Sequence, residues 1–201
     1  MIDSRIIFFC LFLIAGCSSV HKEITAHREK YKEDFITDPR APLKEEDLKN
    51  LDFYKPNPKA RVIAVVRLTP GEQPFELPTY SGITRTYRKW GELRFLWERD
   101  TASLAVYQNL QLLTNPVYND HLFLPFKDLT NGVETYGGGR YLDMSQKDAD
   151  DGSVILDFNK SYNPWCAYSD GFNCPIPPVE NHLDFPVYAG EKQYKGEVKH
   201  Q

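Results

Sequence analysis

The chain has 201 residues, of which 41% are hydrophobic and 26% are charged. This length and balance suit one soluble globular domain with a sizeable core. The formal net charge is -4, and basic and acidic residues are interspersed, so the chain lacks the extended basic surface that binds nucleic-acid phosphates. We therefore expect no nucleic-acid partner.

The N-terminus has the order of segments that is typical of a bacterial lipoprotein signal peptide. Arg5 precedes an apolar run from Ile6 to Ile14, and the short motif "IAGC" ends at Cys17. This run is much shorter than the roughly 20 apolar residues of a transmembrane helix. We predict that residues 1–16 are a signal peptide, that Cys17 is lipidated, and that the domain is exported and anchored to a membrane of the bacterial cell envelope. The alternatives are an ordinary signal peptide cleaved at another small residue, or a short uncleaved apolar anchor.

A tether and a helix are expected next. Residues 17–23 are predicted to form a lipidated polar tether, and "ITAHREKYKEDFI", which starts at Ile24, has the apolar spacing of an amphipathic helix. A second short helical turn is predicted after Pro42. The folded domain is expected to extend over residues 24–192, and residues 193–201 are expected to form a flexible tail.

From Lys59 onward the pattern changes to that of short β-strands. The segments that predict strands are "RVIAVVRL", three within "GITRTYRKWGELRFLWERDTASLAVYQN", and those around "HLFLPFKD", "VETYGGGRYLDM", "GSVILDFN" and "LDFPVYAG". Asn131-Gly132 is a hairpin signal. No helical segment of crossover length separates these strands, which argues against a parallel sheet. The sequence predicts a mainly β fold: a single antiparallel barrel or sandwich of about eight strands, with an N-terminal amphipathic helix.

Two cysteines remain once Cys10 leaves with the signal peptide and Cys17 is lipidated. Outside the cytoplasm, Cys166 and Cys174 are expected to form a disulfide, and a free buried pair is the alternative. Zinc binding with His182 is disfavoured because the gaps do not match the short paired spacings of structural zinc sites. No cysteine-enzyme signature surrounds Cys166.

The stretch "ETYGGGRYLD" does not match a phosphate-binding loop. Leu142 stands where a dinucleotide fingerprint needs glycine, and Gly138 stands where a phosphate loop needs lysine. The three glycines therefore indicate a bend that interrupts a strand, or a close approach of backbone or ligand. Regular alternation after the bend places Arg140 and Leu142 on one face of the strand, and Tyr141 and Asp143 on the other.

A candidate binding site follows from the same alternation in "VILDFN", which directs Asp157 and Asn159 to one side. The proline-rich segment 159–183 is expected to cross the sheet as an aromatic lid or plug. The predicted ligand-binding residues are Glu134, Tyr136, Arg140, Asp157, Asn159, Tyr162, Asn163 and Tyr168. The alternative is structural: a buried ion pair such as Arg140 with Asp157 that holds the loop.

Two long segments carry a family resemblance. "LFLPFKDLTNGVETYGGGRYLD" and "LDFNKSYNPWCAYSDGFNCPIPPVENHLDFPVYAGEK" closely resemble the bacterial family called domain of unknown function 1684, over a range from about Arg28 to Lys192. The resemblance implies no known activity. The family hallmarks to which it points are Glu134, Tyr136, Arg140, Tyr141, Asp143, Asp157, Asn159, Tyr162, Asn163, Cys166, Tyr168, Cys174 and Asn181.

The sequence favours a non-catalytic binding or accessory module of the cell envelope. Its expected partners are the membrane, through Cys17, and a small polar or anionic ligand that Arg140 would receive. No cofactor and no metal site is identified. One alternative is an envelope hydrolase that uses carboxylates of the group Glu134, Asp143 and Asp157 as acid and base. Another is a structural, partner-binding lipoprotein without a pocket.

Overall fold

The computed structural model describes residues 4–149 and 151–200, with side chains described from residue 19 onward. The side chains of the predicted signal peptide, residues 1–16, and of the predicted lipidation residue Cys17 therefore lie outside the described part of the protein. Among the described residues, none of the helices has both the length and the apolar character required to cross a membrane.

One long helix precedes a β-sheet. Helix α1 spans Ser4–Thr37. The strands are β1 (Arg61–Leu68), β2 (Phe75–Pro78), β3 (Thr84–Trp97), β4 (Asp100–Asn109), β5 (His121–Phe126), β6 (Arg140–Ser145) and β7 (Ser153–Asp157). Short 3-10 helices span Glu45–Asn50, Pro58–Ala60, Leu110–Leu112, Gln146–Ala149, Phe158–Lys160, Trp165–Ala167 and Val179–Asn181. The first of these is the helical turn predicted after Pro42.

The strands of the described residues form one antiparallel sheet of seven strands, curled into a half-barrel. Its order is β6-β5-β4-β3-β1-β7, and β2 pairs with β3 outside this path. The predicted mainly β antiparallel fold with an N-terminal helix is confirmed. The sheet has fewer strands than the sequence suggested, and it leaves β6 and β7 at opposite ends of the strand order.

The region predicted as three strands between residues 82 and 109 contains two long ones, β3 and β4. The segment "RKWGE", whose glycine predicts a break between two of these three strands, lies within β3. The register shifts between Lys89 and Gly91, so the chain passes through a β-bulge and the strand continues. A Cβ at Gly91 would lie 3.0 Å from the carbonyl oxygen of Arg67 on β1, so glycine also allows the close approach of the two strands.

The last predicted strand, "LDFPVYAG", is irregular in the structure, while β2 was not predicted at all. Pro186 removes a backbone donor within this segment, and the amide of Val187 donates to a side chain, the Asp128 carboxylate at 3.2 Å, instead of to a strand. Gly132 has a φ of 80°, so the predicted Asn131-Gly132 turn is present.

Each face of the sheet has its own apolar cluster. The inner face holds the main core, which includes Leu93, Leu104, Leu124 and Leu156. On the outer face, aromatic side chains from β3 to β6 are covered by segment 159–183. A third cluster packs α1 onto the domain. The Val154, Leu156 and Phe158 side chains are buried, as the alternation in β7 predicted.

Both ends of the described chain are more ordered than the sequence suggested. Residues 17–23, predicted to form a polar tether, belong to α1, and Glu23 pairs with Arg61 at 2.6 Å. The segment expected to be a flexible tail packs against the domain over residues 193–200. The Tyr194 side chain is buried, and the amide of Lys199 donates to the carbonyl of Tyr168 at 2.8 Å.

Candidate functional site

The eight residues predicted to bind a ligand do not share one pocket. They are distributed over the main core, the turn that leads into β6, the end of β7, the interface with α1 and the edge of an aromatic cavity on the outer face. The tertiary structure therefore divides the predicted site into separate parts.

Arg140 is fully buried, and both amino groups of its guanidinium donate to protein acceptors, while its Nε has no hydrogen-bond partner among the described residues. One amino group donates to the carboxylate of Asp128 at 2.7 Å and to the carbonyl of Val187 at 2.9 Å. The other donates to the carbonyls of Ala189 and Glu191. Both side chains of the Arg140–Asp128 pair are inaccessible to solvent. The alternative that Arg140 belongs to a structural network fits this geometry, but the partner is Asp128 and not Asp157.

Asp157 and Asn159 point together, as predicted, but at the opposite end of the strand order. The amide and side-chain nitrogens of Asn159 donate to Asp157 at 3.0 and 2.8 Å. The other carboxylate oxygen of Asp157 accepts from Arg61 Nε at 2.8 Å. Asp157 is part of the lining of a cavity of 370 Å³, which includes Asp143 of β6. This cavity therefore lies between the unpaired edges of the half-barrel.

Asn163 and Tyr168 surround a buried carboxyl group that the sequence did not indicate. Glu191 accepts hydrogen bonds from the Asn163 amide at 2.8 Å, from the Tyr168 hydroxyl at 2.6 Å and from the Tyr31 hydroxyl at 3.1 Å. Burial raises the pKa of Glu191 to about 7, although these donors act in the opposite direction. Because Tyr31 belongs to α1, the cluster attaches the helix to the domain.

Glu134 and Tyr136 lie near the turn that leads into β6. Glu134 is 3.5 Å from the ammonium group of Lys192, and the Tyr136 hydroxyl donates to the carbonyl of Cys166 at 3.4 Å. The glycines form this turn; they precede β6 and do not interrupt it. Gly139 has a φ of 94°, and a Cβ there would be 2.7 Å from the carbonyl oxygen of Phe126. The glycine motif is thus required for a bend and for close packing.

Tyr162 marks a different site, an open cavity of 420 Å³ on the outer face, which we call the aromatic cleft. Its polar group is a carboxylate with two partners: Asp143 accepts from the Tyr162 hydroxyl at 2.6 Å and is 2.9 Å from Nε2 of His121. The rings that line the aromatic cleft are Tyr87, Phe123, Tyr141, Tyr162, Trp165 and Phe172.

The strands build this cleft together with residues 162–175, which contain the disulfide and which we call the disulfide loop. In antiparallel register, Phe123 of β5 is opposite Asp143 of β6, so alternation brings His121, Phe123, Tyr141 and Asp143 to the same face. Tyr162 reaches this face because its backbone pairs with that of Tyr141. The Phe123 and Tyr141 rings pack edge to face, with centroids 4.8 Å apart. The predicted alternation of Tyr141 and Asp143 is confirmed by these contacts.

The predicted Cys166–Cys174 disulfide is present, and Cys174 contributes to the cleft lining. It holds the loop that carries Trp165 and Phe172, whose rings are in edge contact at 5.1 Å. The bond also removes Cys166 as a nucleophile or metal ligand. Among residues 19–149 and 151–200, no group of three or more His, Cys, Asp or Glu side chains is arranged to hold a metal ion.

The electrostatics of the aromatic cleft depend on Asp143. Burial lowers the pKa of His121, but the hydrogen bond with Asp143 and the charge of Asp143 outweigh burial, so the pKa is raised overall. Burial and the same carboxylate raise the pKa of Tyr162 well above its ordinary value, so Tyr162 remains a hydroxyl donor. The His121 side chain is 25% exposed and that of Asp143 is 46% exposed, so a solute can reach both.

The sequence predicts no role for His121, which becomes part of the cleft only through the pairing of β5 with β6. The available signal was its place at the start of "HLFLPF": strand alternation sets His121 on the face of Phe123, and pairing with β6 sets Asp143 beside both. That pairing could have been inferred from the hairpin-like connection between the two strands. Nδ1 of His121 is buried and has no hydrogen-bond partner among the described residues.

Comparisons with known proteins give a family but no activity. A family model described as protein of unknown function (DUF1684) matches residues 46–192. The resemblance is therefore confirmed over residues 46–192, while its expected beginning near Arg28 lies outside the matched range. The chain is similar to an uncharacterized protein of Haloarcula marismortui, known from a solution NMR structure, with 31% identity and a TM-score of 0.68, over 89% of this chain and 96% of that chain. No curated protein matches the chain.

Proposed function

The chain belongs to the family described as protein of unknown function (DUF1684), and we propose that it is a non-catalytic binding module of the cell envelope that holds a small polar ligand in the aromatic cleft. The observation that carries this proposal is the position of Asp143, an accessible carboxylate held by Tyr162 and His121 within a ring-lined hollow. A mostly aromatic cavity with a few convergent polar groups is the usual form of a small-molecule site.

The chemistry of the cleft favours a ligand with hydrogen-bond donors and an apolar face. The Asp143 carboxylate accepts hydrogen bonds from hydroxyl or ammonium groups, and the aromatic faces attract cations and C–H surfaces. An amino sugar or a polyol has both features. A purely anionic ligand fits less well, because the cation expected to receive it, Arg140, is buried and paired with Asp128.

We further propose that the domain is exported and anchored to a membrane of the cell envelope through lipidated Cys17. The order of the N-terminal segments supports this, and so does the Cys166–Cys174 disulfide, since such bonds persist in oxidising compartments. The membrane is then the first partner of the protein. Substituting Cys17 with serine is expected to leave the mature chain without lipid, which mass analysis of its N-terminal peptide would detect.

A hydrolase is the second candidate, and the His121–Asp143 contact favours it. A carboxylate at 2.9 Å orients the imidazole and strengthens it as a general base that could activate water. The other two carboxylates of the predicted acid–base group lie outside the aromatic cleft: Asp157 pairs with Arg61 and meets Asp143 only in the lining of the cavity between the sheet edges, and Glu134 lies near Lys192. A second acid is therefore not placed beside Asp143 in the aromatic cleft, and binding is the better supported function.

Ligand-observed NMR on the intact purified protein tests the proposal, with glucosamine, sorbitol and inorganic phosphate as probes. We expect saturation transfer to glucosamine or sorbitol, and its loss in Tyr162→Phe and Asp143→Asn. Val133→Ala is the matched control, because Val133 is 81% exposed and lies outside the cleft lining. Binding of phosphate alone would contradict the proposed ligand class. Ester or glycoside hydrolysis that is lost in His121→Gln would replace the binding function with the enzymatic one.

A further inference from the structure

Half of the outer face of the sheet is covered and the other half is bare. On the β4–β6 side, Tyr107, Phe123 and Tyr141 are buried beneath β2 and the disulfide loop. On the β7–β1–β3 side, no described segment of the chain covers the corresponding outward side chains, which are exposed. An uncovered sheet face is ordinarily polar in a soluble protein. This bare half instead combines aliphatic side chains with charged ones.

Aliphatic side chains form a row across the bare half. Ile63 of β1 pairs in register with Ile155 of β7, and the pairing of Ala64 with Phe95 places Leu96 of β3 next to Ile63 on its other side. Ile63 is 73% exposed, Ile155 60% and Leu96 59%, and the neighbouring Val65 is 60% exposed. A contiguous exposed apolar surface of this kind marks a site of interaction. We call Ile63, Val65, Leu96 and Ile155 the aliphatic face.

A shallow groove of 400 Å³ borders the aliphatic face and carries two arginines, Arg67 and Arg94. Both are exposed, and neither forms an ion pair with any residue that the structure describes. Glu92, also in the groove, is the register partner of Arg67. Ser103 and Thr101 add hydroxyl groups. Aliphatic surface beside unpaired arginines is complementary to acyl chains beside phosphate groups.

The anchored end of the chain reaches the rim of this face. Arg61 lies two residues before Ile63 on β1, so it is on the same side of the sheet, and it pairs with Glu23 of α1 at 2.6 Å. Cys17 precedes Glu23 by six residues of the same helix, which at the helical rise corresponds to about 9 Å. A lipid on Cys17 would therefore hold the bilayer close to the aliphatic face.

We propose that the aliphatic face lies against an anionic phospholipid membrane, with Ile63, Ile155 and Leu96 at the acyl boundary and Arg67 and Arg94 against headgroup phosphates. This rests on the proposed lipid anchoring at Cys17. A protein partner fits less well, because the cores of protein interfaces are enriched in aromatic residues and this row has only aliphatic ones.

The test uses the protein purified in its mature, lipidated form and reconstituted in vesicles that contain brominated phosphatidylcholine, with and without phosphatidylglycerol. A fluorophore is attached at Ile63→Cys, and at Val133→Cys as the control, since both positions are exposed. We expect strong quenching at 63 and little at 133. Replacing Arg67 and Arg94 with glutamine should abolish the additional quenching that phosphatidylglycerol produces at 63.

The possible outcomes test the membrane contact of the aliphatic face and the lipidation of Cys17 separately. The mass of the mature N-terminal peptide reports lipidation at Cys17 independently of quenching, so a chain without lipid overturns the anchor by itself. Equal quenching at 63 and 133 in lipidated protein overturns the membrane-facing position. Ile155→Asp is a second test of the membrane contact. It should reduce quenching at position 63 without changing the melting temperature. If it instead dissociates a dimer seen by sedimentation, the face belongs to a second copy and the membrane proposal fails.

Discussion

The hydroxyl of Tyr162 donates a hydrogen bond of 2.6 Å to Asp143, and so joins the disulfide loop to the edge strand of the half-barrel. The same carboxylate contacts His121 at 2.9 Å. The Asp143 carboxylate is therefore the charged group of the aromatic cleft, and it also connects the disulfide loop to the strands beneath it. The stability and the binding properties of the cleft can be separated by substitutions at these positions.

Asp143→Asn should lower the pKa of His121. The carboxylate raises that pKa through its charge and hydrogen bond, while burial opposes it, so removal of the charge leaves burial as the dominant effect. NMR titration of the His121 ring protons measures the change. Tyr162→Phe is the control, because it keeps the Asp143–His121 contact and should leave the pKa of His121 raised. An unchanged titration in Asp143→Asn would mean that the carboxylate is not the cause.

Arg140→Ala should destabilise the fold by about 3–5 kcal/mol, because Asp128 would remain buried without its partner. Three carbonyl acceptors would also lose their donor. Denaturant unfolding measures the loss of free energy. Arg94→Ala, an exposed arginine, should change stability by less than about 0.5 kcal/mol. If Arg140→Ala unfolds normally but fails to bind a ligand, Arg140 belongs to a binding site after all.

Glu191 should make the protein less stable as the pH rises. Its pKa is raised from 4.5 to about 7 in the folded state, so its stabilising contribution is complete below pH 4.5 and is lost as the pH passes through 7. The shift corresponds to about 3 kcal/mol. Unfolding free energies measured across this range should lose the dependence in Glu191→Gln. A dependence that persists in the variant must come from other groups.

Gly139→Ala should cost more stability than Gly152→Ala. Both glycines have positive φ, at 94° and 72°, so alanine is strained at each. Only at Gly139 would the new Cβ also lie 2.7 Å from the carbonyl of Phe126, whereas at Gly152 no atom is within 4 Å. We expect Gly152→Ala to lower the free energy of unfolding by about 1–2 kcal/mol, from backbone strain alone. Gly139→Ala should lower it further. Equal losses would show that backbone conformation, and not close packing, explains the glycine.

Replacing both Cys166 and Cys174 with serine should destabilise the protein by ~2.5 kcal/mol, the entropic estimate for a loop of this size. The loop carries Trp165 and Phe172 of the aromatic cleft. The affinity for glucosamine or sorbitol should therefore fall further in this double variant than in a variant that is destabilised at a site outside the cleft. Gly152→Ala serves as that variant. Unchanged binding would mean that the loop keeps its position without the disulfide.

Patterns confined to one segment could be predicted from the sequence. The bounds of β1 match the apolar run "RVIAVVRL", and the alternation in β7 gives the buried side chains Val154 and Leu156. The disulfide followed from the cysteine count and the expected compartment. The role of Gly91 was ambiguous in the sequence, because glycine is common both in turns between strands and in bulges within a strand. Only the strand pairing shows that Gly91 lies at a bulge.

The partners of side chains could not be predicted in the same way. Alternation correctly placed Arg140 on the face opposite Asp143. The carboxylate that Arg140 contacts depends on the tertiary path of the chain, and it is Asp128 and not Asp157. The cleft likewise requires β5 beside β6 and a distant loop above both. Local sequence determined the secondary structure and the face of each strand on which a side chain lies, because both depend on backbone periodicity. The tertiary structure alone decided the side-chain contacts, because they join residues that are far apart along the chain, where no periodic pattern relates them.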